Sequence, residues 1–121
     1  MHYMLLIYGD ESGWGSVSDE ELNAVYAEYG QLTKDLQAQG KLVSANELQP
    51  TSTATSVRVR DGEGLVTDGP FADTKEVLGG YYLIEAESLD EALEWAARIP
   101  NARDGVVEVR PVVMRTAEVE A

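Results

Sequence analysis

Residues 17–40 read VSDEELNAVYAEYGQLTKDLQAQG, and the rest of the chain is best understood outward from this stretch. Ser18 followed by Glu21 is a capping box, in which a serine hydroxyl accepts from a backbone N–H of the first helical turn. Val17 and Leu22 stand at the hydrophobic-staple positions around it. Leu22, Val25, Tyr26, Tyr29, Leu32 and Leu36 recur at helical spacing, the apolar stripe of an amphipathic helix of roughly six turns. Gly40 is placed to end it in a left-handed cap.

A strand precedes this helix. From His2 to Tyr8 both alternating sets are apolar: Tyr3, Leu5 and Ile7 on one face, Met4, Leu6 and Tyr8 on the other. Such a strand is covered on both faces. Gly9 to Gly15 reads as a loop holding Trp14 between glycines. After the helix, Lys41–Leu48 forms a second strand that stops before Pro50. Val57 and Val59 then alternate with Arg58 and Arg60, Asp61-Gly62-Glu63-Gly64 turns, and Leu65–Thr67 returns, which is a β-hairpin. Gly79-Gly80 introduces a strand at Tyr81–Ala86. Ser88 and Glu91 repeat the capping box, opening a second helix through Leu89, Ala92, Leu93, Ala96 and Ile99 that Pro100 closes. Val106–Val113 is the last strand.

With the hairpin set aside, the order is β-α-β-β-α-β, the ferredoxin-like (split βαβ) α+β arrangement with an inserted hairpin. Two helices on one face of an antiparallel sheet leave the other face bare. Here that face carries apolar side chains, and a large apolar sheet face calls for a partner. A second copy packed sheet to sheet about a two-fold axis is the economical one, through Tyr3 or Met4, Leu83 and Val112.

Composition bounds the rest. The 121 residues fit one domain, 1–121, and 44% hydrophobic with 26% charged content is that of a globular protein. A net charge of −13 repels phosphate backbones and anionic membranes, and Lys34, Lys41, Lys75, Arg98 and Arg103 are scattered. Neither direct nucleic-acid binding nor a membrane is expected. The absence of cysteine removes disulfides, thiolate metal sites and a cysteine nucleophile, and fits a cytoplasmic setting. His2 has no companions at metal-ligand spacing, and no Walker, dinucleotide or nucleophile-elbow pattern occurs, so no metal or cofactor is expected.

The run Val66-Thr67-Asp68-Gly69-Pro70-Phe71-Ala72-Asp73-Thr74-Lys75-Glu76, followed by Leu78-Gly79-Gly80-Tyr81-Tyr82-Leu83-Ile84, resembles the signature of the DGPF branch of the YCII-related family. The likeness extends from Tyr3-Met4-Leu5-Leu6 through Asp90-Glu91-Ala92-Leu93 to Val107-Glu108-Val109-Arg110-Pro111. It implies a dimeric α/β barrel of ferredoxin-like protomers and names no activity. Members of the branch are described beside extracytoplasmic-function sigma factors. The wider family is suspected of enzymatic work through a His–Asp pair, but the only histidine here is His2, and the first helix offers Tyr26, Glu28 and Tyr29 instead. That pair is not carried over.

The candidate ligand-binding residues are Asp68, Pro70, Phe71, Lys75, Tyr81, Glu108, Arg110, Tyr8 and Trp14. Asp68-Gly69-Pro70-Phe71 either presents a carboxylate and a ring at a cleft or is a turn, with Asp68 bonding the local backbone and Phe71 anchored in the core. Lys75, with Asp73 and Glu76, either supplies an acid/base set for a small molecule or is part of a solvated charged loop. Glu108 and Arg110 share a strand face and either line a barrel interior or pair across strands. Tyr8, Trp14 and Tyr81 form an aromatic wall or fill space. Two functions follow as expectations. One is a homodimer binding a small polar molecule in a cleft between the sheet and the Asp68–Phe71 loop, with proton transfer by Asp68 or Glu108 if it is an enzyme. The other is a regulatory module docking a basic partner beside a sigma factor.

Overall fold

A computed structural model describes residues 1–115; the tail 116–121 of the span read as one domain lies outside the described residues. Strand β1 (His2–Gly9) is central, and its alternation is resolved into two environments. Tyr3, Leu5 and Ile7 are buried under the helices, while Met4, Leu6 and Tyr8 are half-buried on the opposite face. β1 pairs antiparallel with β5 (Val77–Glu85) on one side and β6 (Val106–Pro111) on the other, and β2 (Leu42–Glu47) lies outside β5. The sheet order β2-β5-β1-β6 makes this an α+β protein built on an antiparallel sheet, compatible with the ferredoxin-like arrangement.

The hairpin stands apart as β3 (Thr55–Arg60) and β4 (Glu63–Asp68) in a sheet of their own. Its turn is tighter than the sequence predicts. Asp61 and Gly62 alone make it, with φ of 53° and 81°, the left-handed pair a two-residue Asp-Gly loop requires. Glu63 and Gly64 are already paired with Arg60 and Val59.

The long helix α1 (Asp19–Ala38) begins as expected, with Ser18 Oγ accepting from the Glu21 N–H at 3.1 Å. It ends in a Schellman cap: Gly40 at φ +68° donates to the Gln37 carbonyl, and Lys41 donates to that of Leu36. Helix α2 (Leu89–Ala97) stops short of Ile99 and passes into a 3-10 turn at Pro100–Ala102. Ile99 is nevertheless fully buried, beside Leu5, Leu32, Leu36 and Ile84 at the centre of the core.

Glu91 ties these parts together. Its carboxylate accepts from the Glu87 N–H at 2.9 Å and the Trp95 indole at 3.1 Å, and pairs with Lys41 at the mouth of β2 at 2.7 Å. A capping-box glutamate ordinarily satisfies the cap residue itself; here it reaches one residue further back. The Glu87 N–H foremost, then the Lys41 ammonium, hold the carboxyl down at about 2.

The bare sheet face is ordered in rows across the strands. One row runs Arg110–Met4–Leu83–Ser44 and the next Glu108–Leu6–Tyr81–Asn46. Tyr3, expected as one choice for a sheet-mediated contact, is excluded from this face: it is 4% exposed beneath the helices, paired with Ile84. Met4 and Leu83 do lie on it. Val112, the remaining residue expected in that contact, falls past the end of β6, which closes at Pro111, as does Val113.

Two backbone positions and one carboxylate test this description. Gly30 is exposed in the interior of α1 with open space at its Cβ position, so Gly30→Ala should raise stability by about 0.5–1 kcal/mol. Gly40→Ala should lower it by about 1 kcal/mol, since alanine is strained at positive φ. Both are read by urea unfolding. Because the Glu91 carboxyl is depressed in the fold, its stabilisation is complete above its ordinary value of 4.5 and is lost as pH falls toward about 2. Glu91→Gln should therefore lower the urea midpoint at neutral pH and flatten its decline over that acid window.

Candidate functional site

The two helices are unequal, and the inequality makes a cavity. Along α1, Arg98 at the end of α2 reaches Asp35 at 2.6 Å, and the 3-10 turn after it meets α1 at Glu28 and Tyr29. Beyond that point the chain turns back into β6 through Gly105, and among the described residues the second helix does not continue over the first turns of α1. Leu32 and Leu36 are buried, whereas Leu22 is 44% and Tyr26 49% exposed although they belong to the same stripe. Between these turns and the sheet lies a cavity of about 590 Å³.

Its wall is apolar and aromatic, from Ile7, Val17, Leu22, Val25, Tyr29 and Trp14. The segment Glu11–Ser16, expected as a loop, is a 3-10 turn capped by Asp10, and it carries Trp14 over the glycines. The indole lies against Gly9 and Gly79, with a Cβ at either position 3.6 Å from the ring. Gly79 and Gly80 sit inside β5 rather than ahead of it. The β1–β5 register shifts there between Ile7 and Tyr8, the mark of a bulge. A Cβ on Gly80 would come within 2.7 Å of the Asn46 carbonyl, so β2 and β5 approach closely only because this residue is glycine.

Polar groups gather at one end. The Tyr29 hydroxyl donates to Asn101 Oδ1 at 2.5 Å, and its ring stacks on Tyr82 with centroids 6.4 Å apart. Burial first, then the neighbouring phenol, push Tyr29 well above the ordinary phenol range, so it is a fixed donor. Tyr26 donates to the Glu47 carboxylate at 3.1 Å, and that bond pushes its pKa above the ordinary phenol value too. Arg103 forms a two-pronged pair with Glu28, both contacts 2.9 Å.

The residues singled out in the sequence fall in three places. Trp14 borders the cavity; Tyr81 touches it along the strand but stands in the bare-face row with Leu6 and Glu108, where its hydroxyl accepts from Asn46 Nδ2 at 3.0 Å. Hydrogen bonds from Ser44 and Asn46 hold that phenol below its usual range. Tyr8, Glu108 and Arg110 belong to the bare sheet face. Asp68, Pro70, Phe71 and Lys75 lie at the end of β4 and in the loop after it, and none of them borders this cavity. Phe71 is not a core anchor: it is 80% exposed. The turn is held through Gly69, whose N–H donates to Ala54 and whose carbonyl accepts from Ser56, rather than through the Asp68 carboxylate. His2 lies beside Glu85, its Nε2 at 3.0 Å from the carboxylate. Among the described residues no three His, Cys, Asp or Glu side chains gather to hold a metal.

Sequence reasoning missed Tyr26, Glu47, Asn101 and Arg103 as site residues. The available signal was length, since the apolar stripe of α1 is longer than the second helix could cover.

The chain matches the YCII-related domain over residues 1–116. A relative from Rhizobium meliloti (strain 1021), the uncharacterized protein R00369, is 42% identical over 116 residues, covering 94% of each chain. The protein belongs to the YCII-related family.

Gly80→Ala should force β2 from β5 and cost about 1–3 kcal/mol by urea unfolding, the range for overpacking against unyielding backbone. Asp68→Ala should leave stability within about 0.5 kcal/mol of the parent, as for an exposed position that anchors nothing. A larger loss would show that the carboxylate itself holds the turn.

Proposed function

We propose that this YCII-related protein is a single-domain, cytoplasmic, homodimeric binder of a small molecule, and that the ligand sits in the cavity beneath the first turns of α1. The observation that carries this is the cavity itself. At about 590 Å³, apolar over most of its wall with a few oriented polar groups at one end, it has the size and make-up of a small-molecule site, which run about 300–1,000 Å³. Tyr29 and Asn101 hold each other in place, so the polar end is organised before a ligand arrives. The dimer would use the other side of the sheet, with Met4, Leu6 and Leu83 facing their counterparts as in a dimeric α/β barrel, and Glu108 and Arg110 at hand to pair across the two-fold. Proton transfer at such a site would involve the tyrosines before any residue of the Asp68–Phe71 loop.

A second reading keeps the regulatory role beside a sigma factor. Its support is the net charge of −13 together with the exposed run Asp19-Glu20-Glu21 that opens α1, a surface fit for a basic partner.

Thermal shifts across a metabolite library, run on the parent and on Val25→Trp, test the first reading. Val25 borders the cavity and is half-buried, so the larger ring should occupy the space and abolish the shift given by a hit while the fold persists. A hit that stabilises both proteins equally would place the site elsewhere. For the assembly, sedimentation equilibrium should give a dimer for the parent and a monomer for Leu83→Arg, and a monomeric parent at micromolar concentration would end the dimer.

A further inference from the structure

We infer that the ligand is an organic cation: an amine with an apolar or aromatic body, its body against Trp14 and Tyr29 and its ammonium between Glu47 and Asp104. The inference rests on the cavity being a small-molecule site and adds the sign of the ligand's charge.

The charges around the cavity are Glu47, Asp104 and Arg103. Arg103 is already neutralised, because both arms of its guanidinium donate to the Glu28 carboxylate at 2.9 Å. An anionic ligand would have to share that guanidinium with the Glu28 carboxylate. Glu47 is differently placed: its one bonded partner among the described residues is the neutral Tyr26 hydroxyl, and neither it nor Asp104 pairs with a cationic side chain there. Both carboxylates also act on the same spot, since each contributes, after burial and Tyr82, to raising the Tyr29 phenol. Arg103 acts on Asp104 and Tyr29 too, but with Glu28, Glu47 and Asp104 set against that one guanidinium the polar end of the cavity is left net negative.

The wall supplies the complementary feature. The faces of tryptophan and tyrosine rings attract cations through their quadrupole, and Trp14 and Tyr26 stand at the mouth, 41% and 49% exposed, where an ammonium would pass. The apolar residues behind them accept the rest of the molecule. Both carboxylates are exposed, so their attraction is that of charges in contact with water, modest and screened by salt. It sorts ligands by sign of charge, and the apolar wall provides most of the affinity.

The test uses three probes of one shape: 3-phenylpropylamine, 3-phenylpropanol and 3-phenylpropionate. Binding is followed by titration of the parent protein, with the indole N–H signals of Trp14 and Trp95 as reporters, the chain having 2 tryptophans. The amine should bind about threefold tighter than the alcohol and at least about tenfold tighter than the acid at low ionic strength, with the preference collapsing near 1 M salt. Trp14 should shift and Trp95 should not. Glu47→Gln combined with Asp104→Asn should bring the amine down to the alcohol's affinity and leave the alcohol unchanged. Equal binding of amine and alcohol with Trp14 shifting would overturn the cationic ligand and leave the cavity reading standing. Tighter binding of the acid would overturn it as well. If none of the three moves Trp14 at millimolar concentration, the cavity reading itself fails and the inference goes with it.

Discussion

The structure depends on a mismatch of lengths over one sheet. Helix α1 has 20 residues and α2 has 9, so at ~1.5 Å per residue the first runs on well beyond the second. A helix in water needs its apolar face covered, and here the cover is shared unequally. Leu32 and Leu36 are sealed against Ile84 and Ile99, while Leu22, Val25 and Tyr26 border the cavity and Leu22 and Tyr26 stay exposed. The Schellman cap at Gly40, the capping box at Ser18 and the Asp35–Arg98 pair fix the helix along its axis.

The floor shows the same economy. Gly79 and Gly80 remove side chains where β5 passes under Trp14 and beside Asn46, and the bulge there turns the strand at the site. Bulges and close backbone approach are common where a sheet has been shaped around something else. The open sheet face is built differently: its rows carry Met4, Leu83, Leu6 and Tyr81 in the middle and Arg110, Glu108, Ser44 and Asn46 at the ends. One side of the sheet is thus shaped as a hollow and the other as a flat surface, which suits a ligand and a second protomer respectively.

Much of the fold was legible because it rests on local chemistry. Ser18 and Ser88 start helices where their hydroxyls say they should, Gly40 ends one, and Asp61-Gly62 turns the hairpin. The alternation of β1 was legible too, though which set of residues faced the helices was not: Tyr3 and Met4 are equally apolar, and pairing to Ile84 or Leu83 decides between them. The site was largely illegible for a related reason. Asp68-Gly69-Pro70-Phe71 draws the eye as a run of uncommon residues, yet its neighbours are the hairpin and solvent. Tyr26 and Glu47 are 21 positions apart and Tyr29 and Asn101 are 72 apart, joined only by the way the strands cross. No spacing within the sequence carries that information.

Xenon tests the central claim, that the overhang of α1 encloses the ligand site, without any prior guess at the ligand. The gas enters apolar cavities and displaces the signals of the methyl groups that line them. Under xenon pressure the methyl resonances of Ile7, Val17, Leu22 and Val25 should shift together and saturate with one binding constant. Shifts confined to Leu6 and Leu83 on the opposite side of the sheet, with those four unmoved, would contradict the account.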